Sequence, residues 1–160
     1  MPTIHLTTFI TAPVERVFDL SRNISLHKIS MQHTGEMAIG GVTSGLINLD
    51  ETVTWKARHL YKSRLFTSKI IEMKPYEKFT DKMINGDFRS FFHEHFFKPA
   101  NNGTIVIDII HYETSYGLLG KLVNQIFLNA YIEKLIVHRN KIVAQYAEGE
   151  KWRALLHSQY

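Results

Sequence analysis

From Lys121 to Glu148 neither proline nor glycine interrupts the chain, and this run constrains the fold more than any other feature. Leu119, Leu122, Val123, Ile126, Ala130, Ile132, Leu135, Ile136, Ile142 and Val143 recur at the spacing of one helix face. The pattern predicts a single helix of about eight turns, roughly 40 Å long. Its apolar arc is wider than a helix lying on a surface needs. Something large and concave is therefore expected to grip it.

Upstream, the period is mostly two. Thr3–Thr11 alternates through Ile4, Leu6, Thr8 and Ile10 as a strand does. Thr11-Ala-Pro-Val-Glu reads as a helix start with a threonine cap and proline in the first turn. Val14, Val17 and Phe18 form the inner stripe of that short helix, which ends near Leu20. Asn23–Ile29 predicts a second short helix with Leu26 and Ile29 inward. Gly35 to Gly45 reads as a loop or irregular strand. From Leu46 alternation resumes, with Glu51, Val53, Trp55, Ala57 and His59 on one face and Thr52, Thr54, Lys56 and Arg58 on the other. Further strands are expected over Leu65–Met73, Phe79–Ile84, Phe88–Lys98 and Thr104–Thr114. Pro75, Asn85-Gly86 and Asn101-Asn102-Gly103 separate them.

Sequential strands joined by tight turns pair antiparallel, and helices gathered on one side make the class α+β. The expected architecture is a curved antiparallel sheet of about seven strands wrapped around the long C-terminal helix. Two short helices follow the first strand. Residues 1–148 are read as one domain. Residues 149–160, with Trp152, Leu155 and Leu156, are read as a tail that is either a helical extension or frayed.

Residues 91–97 read Phe-Phe-His-Glu-His-Phe-Phe. Alternation puts Phe91, His93, His95 and Phe97 on one face. Titratable groups in an apolar wall are costly unless partnered. Glu51, Asp81 and Asp108 join the two histidines on the predicted concave face. If Asn102-Gly103 is a two-residue turn, Phe97 lies opposite Asp108 and His95 opposite Ile110, which leaves His95 one diagonal step from Asp108. Asp81 shares this face if its hairpin is bulged, the version favoured by the polarity of Lys78, Thr80 and Lys82.

Three roles are open to such a set. It can satisfy itself across strands, orient a ligand hydroxyl or carbonyl, or act as a general base in which a carboxylate raises the basicity of histidine. The catalytic candidates are His93, His95 and Asp108. Trp55, Phe127 and Tyr131 are candidates to line a cavity beside them. His-x-His would need a further zinc ligand, which Asp108 or Asp81 could supply. The cupin pattern, however, lacks its following Glu, and Phe97 stands where a metalloprotease needs its second His. No metal and no cofactor are expected.

Composition removes other classes. The chain has no cysteine, which excludes disulfides, thiolate catalysis and Cys-ligated zinc. There is no nucleophile elbow, and Gly40-Gly41-x-x-x-Gly45 lacks the lysine and strand–helix frame of a phosphate loop. No apolar run reaches the roughly 18 residues of a membrane span. The N-terminus does not read as a signal peptide, so a cytoplasmic location is expected. The net charge of +4 comes from scattered residues such as Lys56, Arg58, Lys62, Arg64, Lys74, Lys78 and Lys82. That is the pattern of a solvated sheet face, and no nucleic-acid partner is expected.

Val53-Thr-Trp-Lys-Ala, Pro75-x-x-x-Phe79-x-Asp81-x-Met83, Gly86-x-Phe88, Phe92-His-x-His-x-Phe97, Thr104-x-x-x-Asp108, Leu119-Gly120 and Leu135-x-x-x-Arg139-Asn140 carry a resemblance over about residues 3–147. The chain resembles the START-like, or SRPBCC, superfamily of helix-grip proteins, which includes Bet v 1-like allergens and polyketide cyclases. These motifs look like one bacterial branch of cyclase/dehydrase-like or ligand-binding domains. The resemblance implies a cavity between sheet and long helix that takes a hydrophobic small molecule, such as a lipid, isoprenoid or polyketide-like compound. It supplies no universal catalytic set. The expected partner is therefore a hydrophobic ligand, held by Trp55, Asp81, Phe91, His93, His95, Phe97, Asp108, Phe127 and Tyr131. Its alternative is a cyclase or dehydratase substrate acted on by a His/Asp pair.

Overall fold

The computed structural model describes residues 2–115 and 121–156; the side chains of 121–124 are outside that description. Leu119 and the Leu119-Gly120 pair lie outside the described residues, as do the side chains of Leu122 and Val123. In chain order come β1 (Thr3–Ile10), α1 (Val14–Ser21), α2 (Ile24–Ser30) and β2 (Met37–Gly41), then β3 (Thr52–His59), β4 (Lys62–Lys74), β5 (Lys78–Asn85), β6 (Phe88–Ala100) and β7 (Gly103–Thr114). The long helix α3 (Lys121–Glu148) and the short α4 (Arg153–Leu156) complete it. The strands form one antiparallel sheet in the order β1-β7-β6-β5-β4-β3-β2. Among the described residues, only β1 departs from a plain meander, returning to pair with β7. Among the described residues no helix is long and apolar enough to cross a membrane.

Several local expectations are corrected. Thr11 does not cap α1. The cap residue is Pro13, with no side-chain cap bond, and the Thr11 amide instead donates to Glu148 Oε1 at the far end of α3. In α2, Leu26 is fully buried but Ile29 is 42% exposed. Asn23 caps this helix by accepting from the Leu26 amide. Ser30 completes the buried face in place of Ile29 because its hydroxyl donates to the His27 carbonyl.

The β6–β7 register is also shifted. His95 lies opposite Asp108, and Phe97 opposite Val106, two residues from the expected pairing but with every side chain on its expected face. The turn is Asn101-Asn102, with Asn102 at φ 63°. Gly103 is drawn into the strand, where β1 passes so close that a Cβ would sit 2.4 Å from the Ile10 carbonyl oxygen. Only glycine fits there. Asp81 pairs with His93, which puts it on the concave face in the parity that its polar neighbours favour.

Among the described side chains, the helix stripe is buried or half-buried from Ile132 onward. Ile132, Ile136, Arg139, Asn140, Val143 and Ala147 are buried. Ala130 is exposed, and Ile126 and Phe127 are 68% and 57% exposed. At this end of α3, Gln125, Phe127 and Leu128 border an open hollow. Apolar packing is divided accordingly. One cluster joins α1, α2, the C-terminal turns of α3 and the inner faces of β3–β7 through Val17, Phe18, Leu26, Trp55, Phe79, Phe97 and Val143. A smaller one holds Ile4, Ile110, Tyr112, Ile132 and Ile136. Beyond Gly149, Leu156 is fully buried in the first cluster, and Trp152 lies under the Arg16 guanidinium at 4.1 Å.

Candidate functional site

Between the sheet and α3 lies a cavity of about 530 Å³. Its walls come from inward positions of β3 (Val53, Trp55, Ala57), β4 (Phe66, Ser68, Ile70) and β6 (Phe91), and from Ile132, Leu135 and Ile136 of α3. At its floor a polar cluster is assembled from four elements. Asp108 on β7 is completely buried. Its Oδ1 accepts from His93 Nε2 at 2.9 Å, and its Oδ2 accepts from Asn140 Nδ2 at 2.6 Å. His95 Nδ1 also lies 2.9 Å from Oδ1, but out of hydrogen-bond alignment, so that contact is chiefly electrostatic. On its other edge His95 Nε2 reaches Asp81 Oδ2 at 3.1 Å. The His95 ring is sandwiched, with His93 at 3.7 Å on one side and Phe79 at 4.2 Å on the other.

Arg139 closes the cluster from the helix. Its guanidinium donates to the Ser21 carbonyl at 2.6 Å and to Asn140 Oδ1 at 3.1 Å. A buried charge without partners would cost several kcal/mol. Here Asp81 lies within electrostatic reach of Arg139, and both carboxylates contact the imidazole pair, which is why the cluster persists inside an apolar fold.

The charge states follow from these contacts. Burial alone would raise the Asp108 pKa, but the hydrogen bond from His93 and the close charges of His93 and His95 hold it well below the ordinary carboxylate value. The same opposition, with His95 as the main partner, holds Asp81 low. For His95, burial works against the charged ring, but Asp108 and Asp81 outweigh it and its pKa is raised. For His93, burial and the neighbouring His95 outweigh Asp108, and its pKa is lowered. A neutral His93 that donates from Nε2 leaves Nδ1 as its lone-pair nitrogen.

Opposite signs of linkage result. The unfolded chain protonates His93 near pH 6.5, where the folded chain resists, so His93 withdraws stability as pH falls below about 6.5. The raised pKa of His95 contributes stability that is fully present below about 6.5 and lost as pH rises through its folded value. His93→Gln is expected to flatten the loss of stability as pH falls from about 7 to 5, and His95→Gln to flatten the loss as pH rises above about 6.5. Urea midpoints measured against pH would show this, and identical slopes in the two variants would contradict these charge states.

At the mouth a second polar group spans the gap. His59 Nδ1 and the Tyr131 hydroxyl are hydrogen-bonded at 2.8 Å, tying β3 to α3. Glu36 Oε1 binds His27 Nε2 at 2.7 Å, and His27 lies 4.4 Å from the Trp55 ring. Burial lowers the His59 pKa and raises that of Tyr131. Arg64, expected on the solvated face, turns inward at the mouth and pairs with Asp87.

Of the residues singled out from sequence, Trp55, Asp81, Phe91, His93, His95, Phe127 and Tyr131 border the cavity. Asp108 stands behind the imidazoles. Phe97 packs into the aromatic cluster with Phe18 at 5.1 Å and Phe79 at 5.8 Å. Glu51 is not on the concave face; it lies outside the strand and accepts from the Asn48 amide. Arg139 and Asn140 were legible only as part of a resemblance, and Ser68, His59 and Glu36 had no signal of their own. One ligand atom each of Asp81, His93 and His95 lies within 4.8 Å of the others, a spacing compatible with an ion. The cluster nevertheless meets its main hydrogen-bonding needs through Asp108 and Asn140.

No family model matches the chain, and no curated protein matches it. Solved structures do. The protein TTHA0849 from Thermus thermophilus is 19% identical with a TM-score of 0.70, over 89% of this chain and 97% of that one. The ZhuI aromatase/cyclase from Streptomyces sp. R1128 is 12% identical with a TM-score of 0.73, over 92% and 93%. A major latex-like protein 151 from Panax ginseng is 12% identical with a TM-score of 0.67, over 91% and 97%. At these identities the likeness is one of architecture, and it agrees with the strand order and the gripped helix: the chain has the α+β helix-grip fold that these structures share.

Proposed function

We propose that this chain binds a hydrophobic small molecule in the cavity between its sheet and long helix, as a cytoplasmic carrier or sensor. The observation that carries the reading is a cavity of about 530 Å³ with apolar walls and one floor of buried, oriented polar groups. Ligand sites of this size are typically greasy with a few fixed polar anchors. Lipid, isoprenoid or polyketide-like compounds fit that description. The reading involves no metal, cofactor or nucleic acid.

Ala57 tests it. This residue is buried on the inner face of β3 and borders the cavity, so Ala57→Trp would place an indole in the ligand space. Binding of a polarity-sensitive naphthalene sulfonate probe is expected to weaken at least tenfold, about 1.4 kcal/mol, with the thermal midpoint nearly unchanged. Undiminished binding would remove the cavity as the site.

A second reading is an enzyme of the cyclase or dehydratase type. Its support is His93, held neutral by burial against Asp108 at the edge of the cavity, together with the aromatase/cyclase among the structures of like fold. A general base must reach the proton it removes, and Nδ1 of His93 is the candidate atom. Under this reading His93→Gln abolishes turnover and spares probe affinity.

A further inference from the structure

We infer that the molecule bound in this cavity carries a hydroxyl, donated to Asp81 on the cavity floor, and that the site rejects a carboxylate on the same skeleton. The inference rests on the cavity being a ligand site, as proposed above.

The cavity floor holds unspent hydrogen-bonding capacity. A carboxylate has two oxygens and about four acceptor sites. Asp108 spends both oxygens inside the protein, on His93, His95 and Asn140. Asp81 does not. Its Oδ2 faces His95 Nε2, while Oδ1 has no partner among the described residues, and the side chain is 17% exposed where it borders the cavity. An acceptor left idle in an apolar chamber is costly, and a ligand donor would satisfy it.

A second idle group stands beside it. Ser68 is an inward position of β4 and also borders the cavity. It lies opposite Met83, with Ile70 opposite Asp81, so Ser68 and Asp81 are diagonal neighbours on one face. The Ser68 hydroxyl has no hydrogen-bond partner among the described residues. One hydroxyl on a ligand could donate to Asp81 and accept from Ser68.

Charge then selects among donors. Asp81 and Asp108 oppose Arg139 and His95 within one buried cluster. A ligand carboxylate would meet the Asp81 carboxylate at close range in a low-dielectric chamber, where like charges repel strongly. Arg139 offers it little relief, because its guanidinium is already directed at the Ser21 carbonyl and Asn140. An ammonium would meet the repulsion of Arg139 and His95. A neutral hydroxyl avoids both and gains a charge-assisted hydrogen bond.

Three fluorescent molecules of one skeleton test this: 1-hydroxypyrene, 1-methylpyrene and pyrene-1-carboxylate, titrated at neutral pH and followed by fluorescence anisotropy. The full chain is expected to bind 1-hydroxypyrene about tenfold or more tighter than 1-methylpyrene, and the carboxylate at least tenfold more weakly than the hydroxyl compound. In Asp81→Asn the preference for hydroxyl over carboxylate should collapse to within about threefold, chiefly by relief of the repulsion. Ser68→Ala, a smaller change to the fold, should reduce hydroxyl affinity severalfold and leave methylpyrene unaffected. A carboxylate that binds as tightly as the hydroxyl compound overturns the inference while leaving a cavity that binds apolar rings. So does a hydroxyl preference that survives both variants. If none of the three binds, the ligand-binding reading falls and takes this inference with it.

Discussion

Asp108→Ala is expected to destabilise the protein by about 3–5 kcal/mol, a large share of the roughly 5–15 kcal/mol that holds a domain together. The substitution removes the acceptor for His93 Nε2 and Asn140 Nδ2 and the counter-charge for His95. None of those groups can turn to water, because His93, His95 and Asn140 are all buried. The cost is therefore that of stranded partners rather than of one lost bond. Asp108→Asn keeps the shape and one acceptor oxygen, so about half that loss is expected. The opposite experiment sharpens the point. Combining Asp108→Leu with His93→Leu and His95→Phe replaces the network by apolar side chains, and such replacements are often close to neutral in stability. Urea unfolding at neutral pH measures all three. If Asp108→Ala stays within about 1 kcal/mol of the parent, the cluster is solvated and the description of a buried network is wrong.

Phe18→Ala is expected to cost about 3–5 kcal/mol, the range for a fully buried aromatic. Phe91→Ala should cost only about 1–1.5 kcal/mol. Both are phenylalanines in sequence, and the difference is local packing. Phe18 meets Tyr76, Phe79 and Phe97 edge-on at 5.1–5.7 Å, so its removal opens a void in a filled region. Phe91 touches Phe66 and Phe88 at 5.5 and 5.2 Å but presents its remaining surface to a space that is already hollow. Truncating it enlarges the cavity and leaves the core intact. The functional effects are expected in reverse order, with apolar-probe affinity falling about fivefold in Phe91→Ala, equivalent to about 1 kcal/mol of lost contact, and unchanged in folded Phe18→Ala. Equal stability losses for the pair would mean that the cavity collapses around its walls and is not a preformed site.

These contrasts trace how much the residue pattern could reveal. Alternation along 91–97 correctly grouped Phe91, His93, His95 and Phe97, because the period of a strand holds whatever the register. It could not separate Phe97, which fills the core, from Phe91, which borders the hollow. That distinction depends on whether α1 lies above a position, and α1 is seventy residues or more away in the chain. The β6–β7 register differs from the expected pairing by two residues for a similarly distant reason. Gly103 reads as a turn residue by composition, but the passage of β1 beside it requires a glycine within the strand. The aliphatic stripe of α3 predicts burial at Ile126 and Ala130, yet both stand exposed.

What the chain determined by itself is the order and kind of its elements, the face each strand residue takes and the demand that a long helix be gripped. These follow from local periodicity and from the chemistry of turns. The tertiary structure alone decided that Arg139 and Asn140 complete the Asp108 cluster, that Glu51 stays outside it, and that Asp81 keeps an acceptor oxygen free beside the cavity. The physical reason is that hydrogen-bond satisfaction and empty volume belong to sets of residues brought together from several elements. No periodicity within a single element records them.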